Sequence, residues 1–152
     1  MTATFHRTDH LTIAREFAAA PADWALAPRF NAAHRWSHRL SAAPDAEVWL
    51  LTWLPGQCTD VHDHGGSAGA FTVVEGELTE ESYAGVRVTS TPMPAGTGRR
   101  FGAHHVHRVA NLGTRPAVSI HVYGPALTTM TRYRIEDGEL VVAAIERAGV
   151  QW

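Results

Sequence analysis

Short runs of alternating hydrophobic and polar residues dominate the chain from Glu47 onward. They are rich in Val, Thr and aromatic residues, and read in order EVWLLTWL, AFTVVEG, ELTEESY, VRVTST, HHVHRVAN, AVSIHVY and TTMTRYRI. Gly, Pro or Asn separates most of the runs at a spacing of about 8–12 residues, which is typical of a β-sandwich or β-barrel. The break at Glu75-Gly76-Glu77 predicts a hairpin turn between two strands. The pattern therefore predicts an all-β fold over this part of the chain.

The residues before these strands follow a different pattern. Residues 9–20 predict a helix that Asp9 caps and Pro21 ends. One face of that helix is apolar and consists of Leu11, Ala14, Phe17 and Ala18. Residues 22–41 predict short helix and loop, and the tail LVVAAIERAGVQW fits either a final strand or a short helix.

The length of 152 residues fits one domain with a core of ordinary size. We therefore expect a single domain over residues 1–152. It divides into a helical N-terminal segment of about residues 1–40 and a barrel of about residues 45–150.

Composition and charge exclude several functions. The formal net charge of −2 gives no electrostatic reason to expect nucleic acid or an anionic membrane as a partner. No apolar run approaches the length of a membrane span, and the N-terminus lacks the apolar region of a signal peptide, so we expect a cytoplasmic protein. We expect a monomer or a homodimer, and the sequence does not decide between them. The absence of lysine excludes Schiff-base chemistry, and the single cysteine, Cys58, excludes an internal disulfide and a cysteine-based zinc cluster.

Histidine is the residue type that points to a site. The chain has ten histidines, and six of them lie between His62 and His121. In His62-Asp63-His64, alternation along a strand would send both imidazoles to one face, where they can chelate a metal if a neighbouring strand adds a third ligand. His107 is the candidate third ligand, with His104 and His105 as alternatives beside it. Buried histidines that only form hydrogen bonds are the other interpretation of this pattern.

The spacing of these histidines resembles the two-part signature of the cupin superfamily. In the first motif a glycine, HxH, a glutamate and a second glycine follow each other at fixed spacing, and the places of all but the glutamate are taken by Gly56, His62, His64 and Gly76. The glutamate position is occupied by Gly69. The second motif is matched by Pro94, Gly96, His107 and Asn111. The resemblance implies a small cupin jelly-roll β-barrel, here with short N-terminal helices.

Within the cupins, a motif without this glutamate resembles that of the cysteine dioxygenase family, whose members bind Fe(II) through three histidines. The stretch HRVANLGTRPAVSIHVYGPAL is similar to that family's region between the third iron ligand and the catalytic tyrosine. The resemblance implies His62, His64 and His107 as metal ligands. It also implies a Ser119–His121–Tyr123 relay, and alternation along a strand would place these three side chains on one face.

The function implied by this resemblance is a mononuclear nonheme Fe(II) thiol dioxygenase. Such an enzyme adds O₂, its co-substrate, to the sulfur of cysteine or a related small thiol and forms a sulfinic acid. Two alternatives remain. One is a divergent cysteine-oxidising cupin with another product or metal, such as nickel. The other is a non-catalytic cupin that binds a metal or senses a ligand, although a sensor has no need of the Ser119–His121–Tyr123 constellation.

The family binds the substrate carboxylate with an arginine in a YxRxL-like strand, and here the sequence departs from that pattern. The corresponding stretch is WSHRL, which aligns His38 with the carboxylate-binding residue and leaves Arg39 one position away. Because a shift of one residue on a strand reverses the face, the alignment favours His38 facing the pocket. Arg39, through a local bulge, and Arg35 are the alternative substrate-binding residues.

Overall fold

A computed structural model describes residues 9–147 of the chain. This part contains one α-helix, α1 (His10–Ala19), and a 3₁₀ turn at Pro21–Asp23. The strands are β1 (Trp36–Ala42), β2 (Glu47–Trp53), β3 (Val61–His62), β4 (Ala68–Glu75), β5 (Glu77–Ala84), β6 (Arg87–Pro94), β7 (Gly98–Phe101), β8 (Val106–Ala110), β9 (Ala117–Gly124), β10 (Thr129–Glu136) and β11 (Glu139–Arg147).

The strands form two antiparallel sheets that pack face to face. The first sheet has the strand order β1-β2-β9-β4-β7, and the second has the order β11-β10-β3-β8-β5-β6. The main hydrophobic core lies between them, with Trp53, Phe71 and Leu78 among its fully buried members. This arrangement confirms the predicted all-β jelly-roll barrel.

The first sheet is covered on both faces, and this explains why its central strands lack polar outward positions. All eight residues of β9 are buried. Val118, Ile120 and Val122 belong to a second apolar cluster that packs against α1, so the alternate residues of β9 point into the barrel. A strand that is buried on both faces of its sheet typically has a nearly continuous run of apolar residues.

The predicted helix is confirmed, with boundaries within one residue of those expected. Asp9 is the N-cap, and its carboxylate accepts a hydrogen bond from the Thr12 backbone N–H at 3.2 Å. The same carboxylate forms a bidentate ion pair with Arg100 at 2.8 Å, which ties the start of the helix to β7. Within the described residues, no helix has the length and apolar character needed to cross a membrane.

Two features differ from what the sequence predicts, and a third decides between two structures that the sequence left open. The hairpin predicted at Gly76 is wrong, because β4 and β5 lie in different sheets and the chain crosses between the sheets at this residue. Gly76 has φ of 74°, and a Cβ there would lie 2.5 Å from the carbonyl oxygen of Pro116. Strand β1 occupies the end of the 22–41 segment that was expected to be helix and loop, and it continues to Ala42. The tail forms strand β11 as far as Arg147, and its last residues, 148–152, lie outside the described part.

Candidate metal centre and adjoining cavity

Three buried imidazoles form a nearly equilateral triangle inside the barrel. The ring centroids of His62, His64 and His107 are 4.7 to 4.9 Å apart. Each residue offers a ligand nitrogen, and these nitrogens lie within 4.8 Å of one another. His62 is the last residue of β3 and pairs directly with His107 on β8, so the sheet register brings two of the three together.

The hydrogen bonds of two of these histidines leave a specific nitrogen available. The Nδ1–H of His62 donates to the carbonyl oxygen of Asp60 at 2.7 Å, and the Nδ1–H of His107 donates to Glu80 Oε2 at 2.7 Å. In both rings Nε2 therefore carries no proton, and its lone pair can bind a metal ion. Burial lowers the pKa of both imidazoles, most strongly for His62, which favours the neutral form that binds metals.

His64 gives the strongest indication of a bound cation. Both of its ring nitrogens are buried and have no hydrogen-bond partner among the described residues. A buried polar group without a partner is costly, and a metal ion that binds the lone pair of the unprotonated ring nitrogen removes that nitrogen's share of the cost. Burial holds the pKa of His64 well below its ordinary value, so it too is neutral. Three neutral imidazoles fit a divalent transition metal such as iron or nickel.

Simple strand alternation does not place His64, because β3 ends at His62. Instead, Asp63 anchors the turn between the two histidines. Its carboxylate accepts hydrogen bonds from the backbone N–H of Gly65 at 3.0 Å, the backbone N–H of Thr131 at 3.2 Å and the Tyr133 hydroxyl at 2.7 Å. The middle residue of the HxH motif thus fixes the turn to β10, a role that the sequence did not indicate.

The glutamate position of the cupin motif is closed to any side chain. Gly69 pairs with Phe101 across β4 and β7. A Cβ at Gly69 would overlap the Val122 carbonyl oxygen and lie 2.7 Å from the Phe101 ring. The Phe101 ring in turn stacks on His64 with 4.6 Å between centroids.

A buried carboxylate nevertheless lies one layer behind the triangle. Glu80 on β5 is fully buried, and it contacts His107, His105 at 3.2 Å and Arg99 at 2.7 Å. Burial by itself would raise the pKa of Glu80, but the hydrogen bonds from His105 and His107 outweigh it and lower the pKa to about 2. Glu80 is therefore an anion.

Sequence analysis did not identify Glu80. Its signal was present, since alternation along ELTEESY places Glu80 on the same face as the buried Leu78. The two alternative third ligands do not join the triangle, because His104 is exposed and His105 is bonded to Glu80.

The three expected relay residues all point into the barrel from β9. The Trp53 indole N–H donates to Ser119 Oγ at 2.9 Å, and Ser119 Oγ lies 2.8 Å from His121 Nε2. The Ser119 hydroxyl therefore links the Trp53 indole to the His121 imidazole. Trp53 thus belongs to the same series of hydrogen bonds, a role that the sequence pattern did not indicate.

The second step of the expected relay, from His121 to Tyr123, is not a hydrogen bond in the structure. Among the hydrogen bonds of the described residues, none joins His121 to Tyr123, and their ring centroids are 6.4 Å apart. Burial lowers the pKa of His121 to about 3 and raises the pKa of Tyr123 above its ordinary value. His121 is therefore neutral and the Tyr123 hydroxyl keeps its proton.

A cavity connects the histidine triangle to this second group. Its lining includes His62, His107, His121 and Tyr123, together with Arg35 and Arg132. A wider cleft on the outer side shares Arg35 and Arg132 with the cavity. The two guanidinium groups thus lie where the cavity meets the cleft.

The expectation that His38 faces this cavity is wrong. In the β1–β2 register His38 pairs with Leu50, a residue of the apolar cluster under α1, so both side chains lie on the outer face of the sheet. The His38 ring stacks on Trp36 there, with 6.1 Å between centroids. The apolar contacts of Trp36 with the helix side of the sheet determine the phase of the strand.

The two arginines have the opposite phase. Arg39 pairs with Trp49 on the cavity side of β2, but it does not line the cavity, is half exposed, and lies 3.6 Å from Glu47. Arg35 precedes β1, lines the cavity, and places its guanidinium over the Trp53 ring at 4.8 Å from the centroid. Of the three predicted substrate-binding residues, Arg35 is therefore the one that reaches the cavity.

Arg132 is a cavity residue that sequence analysis did not find. It lies on β10 opposite His62 and pairs with Glu146 at 3.0 Å and with Asp60 at 3.6 Å. No local pattern could have identified it, because the pairing of β10 with β3 joins segments about seventy residues apart in the chain.

Comparison with known proteins agrees with the geometry. The family model described as "Cysteine dioxygenase type I" matches residues 7–136. Human cysteine dioxygenase type 1 is 26% identical over 129 residues, covering 77% of this chain and 64% of the human protein. The bovine protein of the same name is 28% identical over 121 residues, covering 72% of this chain and 60% of its own length. The chain thus matches less than two thirds of the length of these relatives.

Solved structures show the same fold at lower identity. A protein from Thermus thermophilus is similar with a TM-score of 0.58 and 24% identity, covering 64% of this chain and 90% of that one. A Klebsiella pneumoniae protein with a double-stranded β-helix domain is similar with a TM-score of 0.58 and 21% identity, covering 76% and 90% of the two chains. These similarities concern the fold alone.

Proposed function

The chain belongs to the cysteine dioxygenase type I family, and on this premise we propose that it is a mononuclear nonheme Fe(II) thiol dioxygenase. Its substrate is a small thiol with an acid group, of which cysteine is one example. In the overall reaction RSH and O₂ give RSO₂H, so both oxygen atoms are transferred to sulfur and the sulfur is oxidised. The observation that carries the proposal is His64, one corner of the three-histidine triangle, whose two buried ring nitrogens lack partners among the described residues.

His62, His64 and His107 would hold the metal through one nitrogen each. An Fe(II) ion bound there would supply open coordination positions at which a thiolate and O₂ come together. No protein carboxylate competes for these positions, because Gly69 has no side chain and Phe101 fills the space beside it. Three neutral ligands also leave the full charge of the ion available to an anionic substrate.

The Tyr123 hydroxyl is the proton donor that faces the substrate. Burial keeps it protonated, and it lines the same cavity as His62 and His107. It can therefore donate a hydrogen bond to negative charge that develops on the reacting oxygen or sulfur. The hydrogen bond from Trp53 to Ser119 and the one between Ser119 and His121 fix the imidazole that packs beside the Tyr123 ring.

Arg35 is the residue that binds the acid group of the substrate. It lies at the cavity mouth, where a small thiol with its sulfur directed at the triangle would present its carboxylate. A guanidinium binds a carboxylate through two parallel hydrogen bonds, which also orients the sulfur. The Trp53 ring beneath the guanidinium limits the positions that the Arg35 side chain can take.

Oxygen uptake tests this function. The iron-loaded protein should consume O₂ with cysteine or 3-mercaptopropionate and release the corresponding sulfinic acid. His62→Ala, which removes one ligand, should abolish uptake. The same assay on nickel-loaded protein shows which of the two metals supports oxygen uptake. Uptake that is the same in wild type and His62→Ala would contradict the proposed function.

A further inference from the structure

Glu80 is the buried acidic group closest to the proposed metal centre, and it is held by three basic side chains. One carboxylate oxygen, Oε2, accepts from His107 Nδ1 at 2.7 Å and from His105 Nε2 at 3.2 Å. The other oxygen, Oε1, pairs with Arg99 at 2.7 Å. The exposed fraction of the Glu80 side chain is zero.

The strands that carry these residues make the arrangement rigid. Glu80 lies on β5, which pairs with β8 in a continuous register, so the backbone fixes the distance between the carboxylate and His107. His105 is further fixed by stacking on Phe101, with 5.4 Å between centroids. The carboxylate therefore has one orientation. It accepts the hydrogen bond from His107 Nδ1 and leaves the other ring nitrogen, Nε2, for the triangle.

We propose that Glu80 is a positioning residue that supplies, through His107, the negative charge that Gly69 does not provide at the metal. A carboxylate that accepts the Nδ1 proton of a ligand histidine fixes the ring and makes its other nitrogen a stronger donor. In this chain the negative charge lies behind a ligand instead of on the metal. The open positions of the centre stay free while the bound ion still receives partial charge compensation. The proposal rests on the proposed metal site.

Arg99 sets how much of that charge reaches His107. It binds the carboxylate oxygen that His107 does not use, and draws charge away from the shared hydrogen bond. Removing Glu80 and removing Arg99 should therefore change the metal centre in opposite directions. A general loss of stability cannot produce such opposed shifts.

The first experiment uses Co(II) as a probe of affinity and geometry. Glu80→Gln keeps the side-chain shape but removes the charge, and should weaken Co(II) binding by about 10- to 100-fold and shift the visible spectrum of the bound ion. Glu81→Gln is the matched control one residue along the strand. Glu81 contacts Arg108 and Tyr83 rather than a ligand, so its substitution should leave affinity and spectrum at the wild-type values.

The second experiment measures the midpoint potential of the bound iron. Glu80→Gln should raise the potential, because Fe(III) loses a nearby negative charge. Arg99→Gln should lower it, because the Glu80 charge is then less compensated. Since Arg99 is partly exposed, Arg99→Gln tests the proposal even if Glu80→Gln does not fold.

The failure of this proposal can be distinguished from the failure of the metal site. Equal Co(II) binding by wild type and His62→Ala would overturn the metal site, and Glu80 with it. Loss of binding in His62→Ala, together with wild-type affinity, spectrum and potential in Glu80→Gln, would overturn only the role of Glu80. Two metal ions per chain, with the second lost in His105→Ala, would also overturn it, because Glu80 would then be a direct ligand with His105 and His107.

Discussion

Gly69 and Phe101 face each other across two neighbouring strands so closely that a Cβ at Gly69 would lie 2.7 Å from the Phe101 ring. The same Cβ would overlap the carbonyl oxygen of Val122, which belongs to the backbone and cannot rotate away. The Phe101 ring in turn lies against His64. The loss of the cupin glutamate is thus built into the packing around the ligands, and a single substitution cannot restore it.

Gly69→Ala should destabilise the protein by about 1–3 kcal/mol, because the added methyl group has no space. Gly69→Glu should be at least as destabilising and should not strengthen metal binding. Chemical denaturation of the metal-free variants measures their stability, and Co(II) titration measures their metal binding. Gly102→Ala is the control, since nothing lies within 4 Å of a Cβ at that position. A Gly69→Ala protein as stable as Gly102→Ala would show that the position is not closed.

Tyr123→Phe should retain the metal and bind the thiol but turn over about 10- to 1000-fold more slowly, because it deletes only a hydrogen-bond donor. Steady-state kinetics of the iron-loaded variant, with metal content measured in parallel, provide the test. Tyr83→Phe removes a hydroxyl that bonds Glu81 outside the cavity, and should keep the wild-type rate. An unchanged rate in Tyr123→Phe would reduce this residue to a packing role.

Arg35→Ala should lower kcat/KM for carboxylate thiols by about 10- to 150-fold, because a charged hydrogen bond contributes about 1.5–3 kcal/mol. Cysteamine has no carboxylate, so its kcat/KM should change little in the same variant. The comparison of cysteine, 3-mercaptopropionate and cysteamine in one assay gives the measurement.

Two neighbouring residues serve as controls for Arg35. Arg39→Ala and His38→Ala should behave like wild type, since neither side chain lines the cavity. If His38→Ala lost activity on carboxylate thiols while Arg35→Ala did not, the phase of β1 would be the reverse of the one seen here.

Acid should destabilise the metal-free protein through its buried histidines. Burial lowers the pKa of His121 from 6.5 to about 3, so between these values the unfolded chain binds a proton that the folded chain does not. The free energy of unfolding should therefore fall as the pH falls from 6.5 toward 3. His62 and His64, whose pKa values are also lowered by burial, act in the same direction.

The dependence of Tm on pH measures this effect. His121→Gln removes one of the titrating groups and should give a shallower fall in Tm below about pH 6.5 than the wild type shows. A wild-type Tm that did not change between neutral pH and about pH 4, or equal slopes in the two proteins, would contradict the role assigned to the buried imidazole.

The predictions of the fold that are confirmed, and the shared face of the three β9 residues, depend on local patterns. The shared face of Ser119, His121 and Tyr123 was predictable because β9 is a regular strand of eight buried residues, along which side chains alternate without interruption. Helix α1 was visible through its cap and its apolar face. In both cases the information lies within a short stretch of the chain.

The parts that were missed depend on what packs against a segment from elsewhere. The phase of β1 is determined by the outer cluster under α1, which buries Trp36 and turns His38 away from the cavity. Arg132 reaches the cavity only because β10 pairs with β3. The crossing at Gly76 could not be told from a hairpin, since both need a glycine with positive φ.

The central claim is that a three-histidine centre transfers both atoms of O₂ to the sulfur of a small thiol. The most direct test is the mass of the product formed by the iron-loaded protein under ¹⁸O₂ with cysteine and with 3-mercaptopropionate. We expect a sulfinic acid that carries two ¹⁸O atoms, formed by the wild type and absent with His62→Ala. A disulfide, a singly labelled product, or the same product from His62→Ala would contradict it.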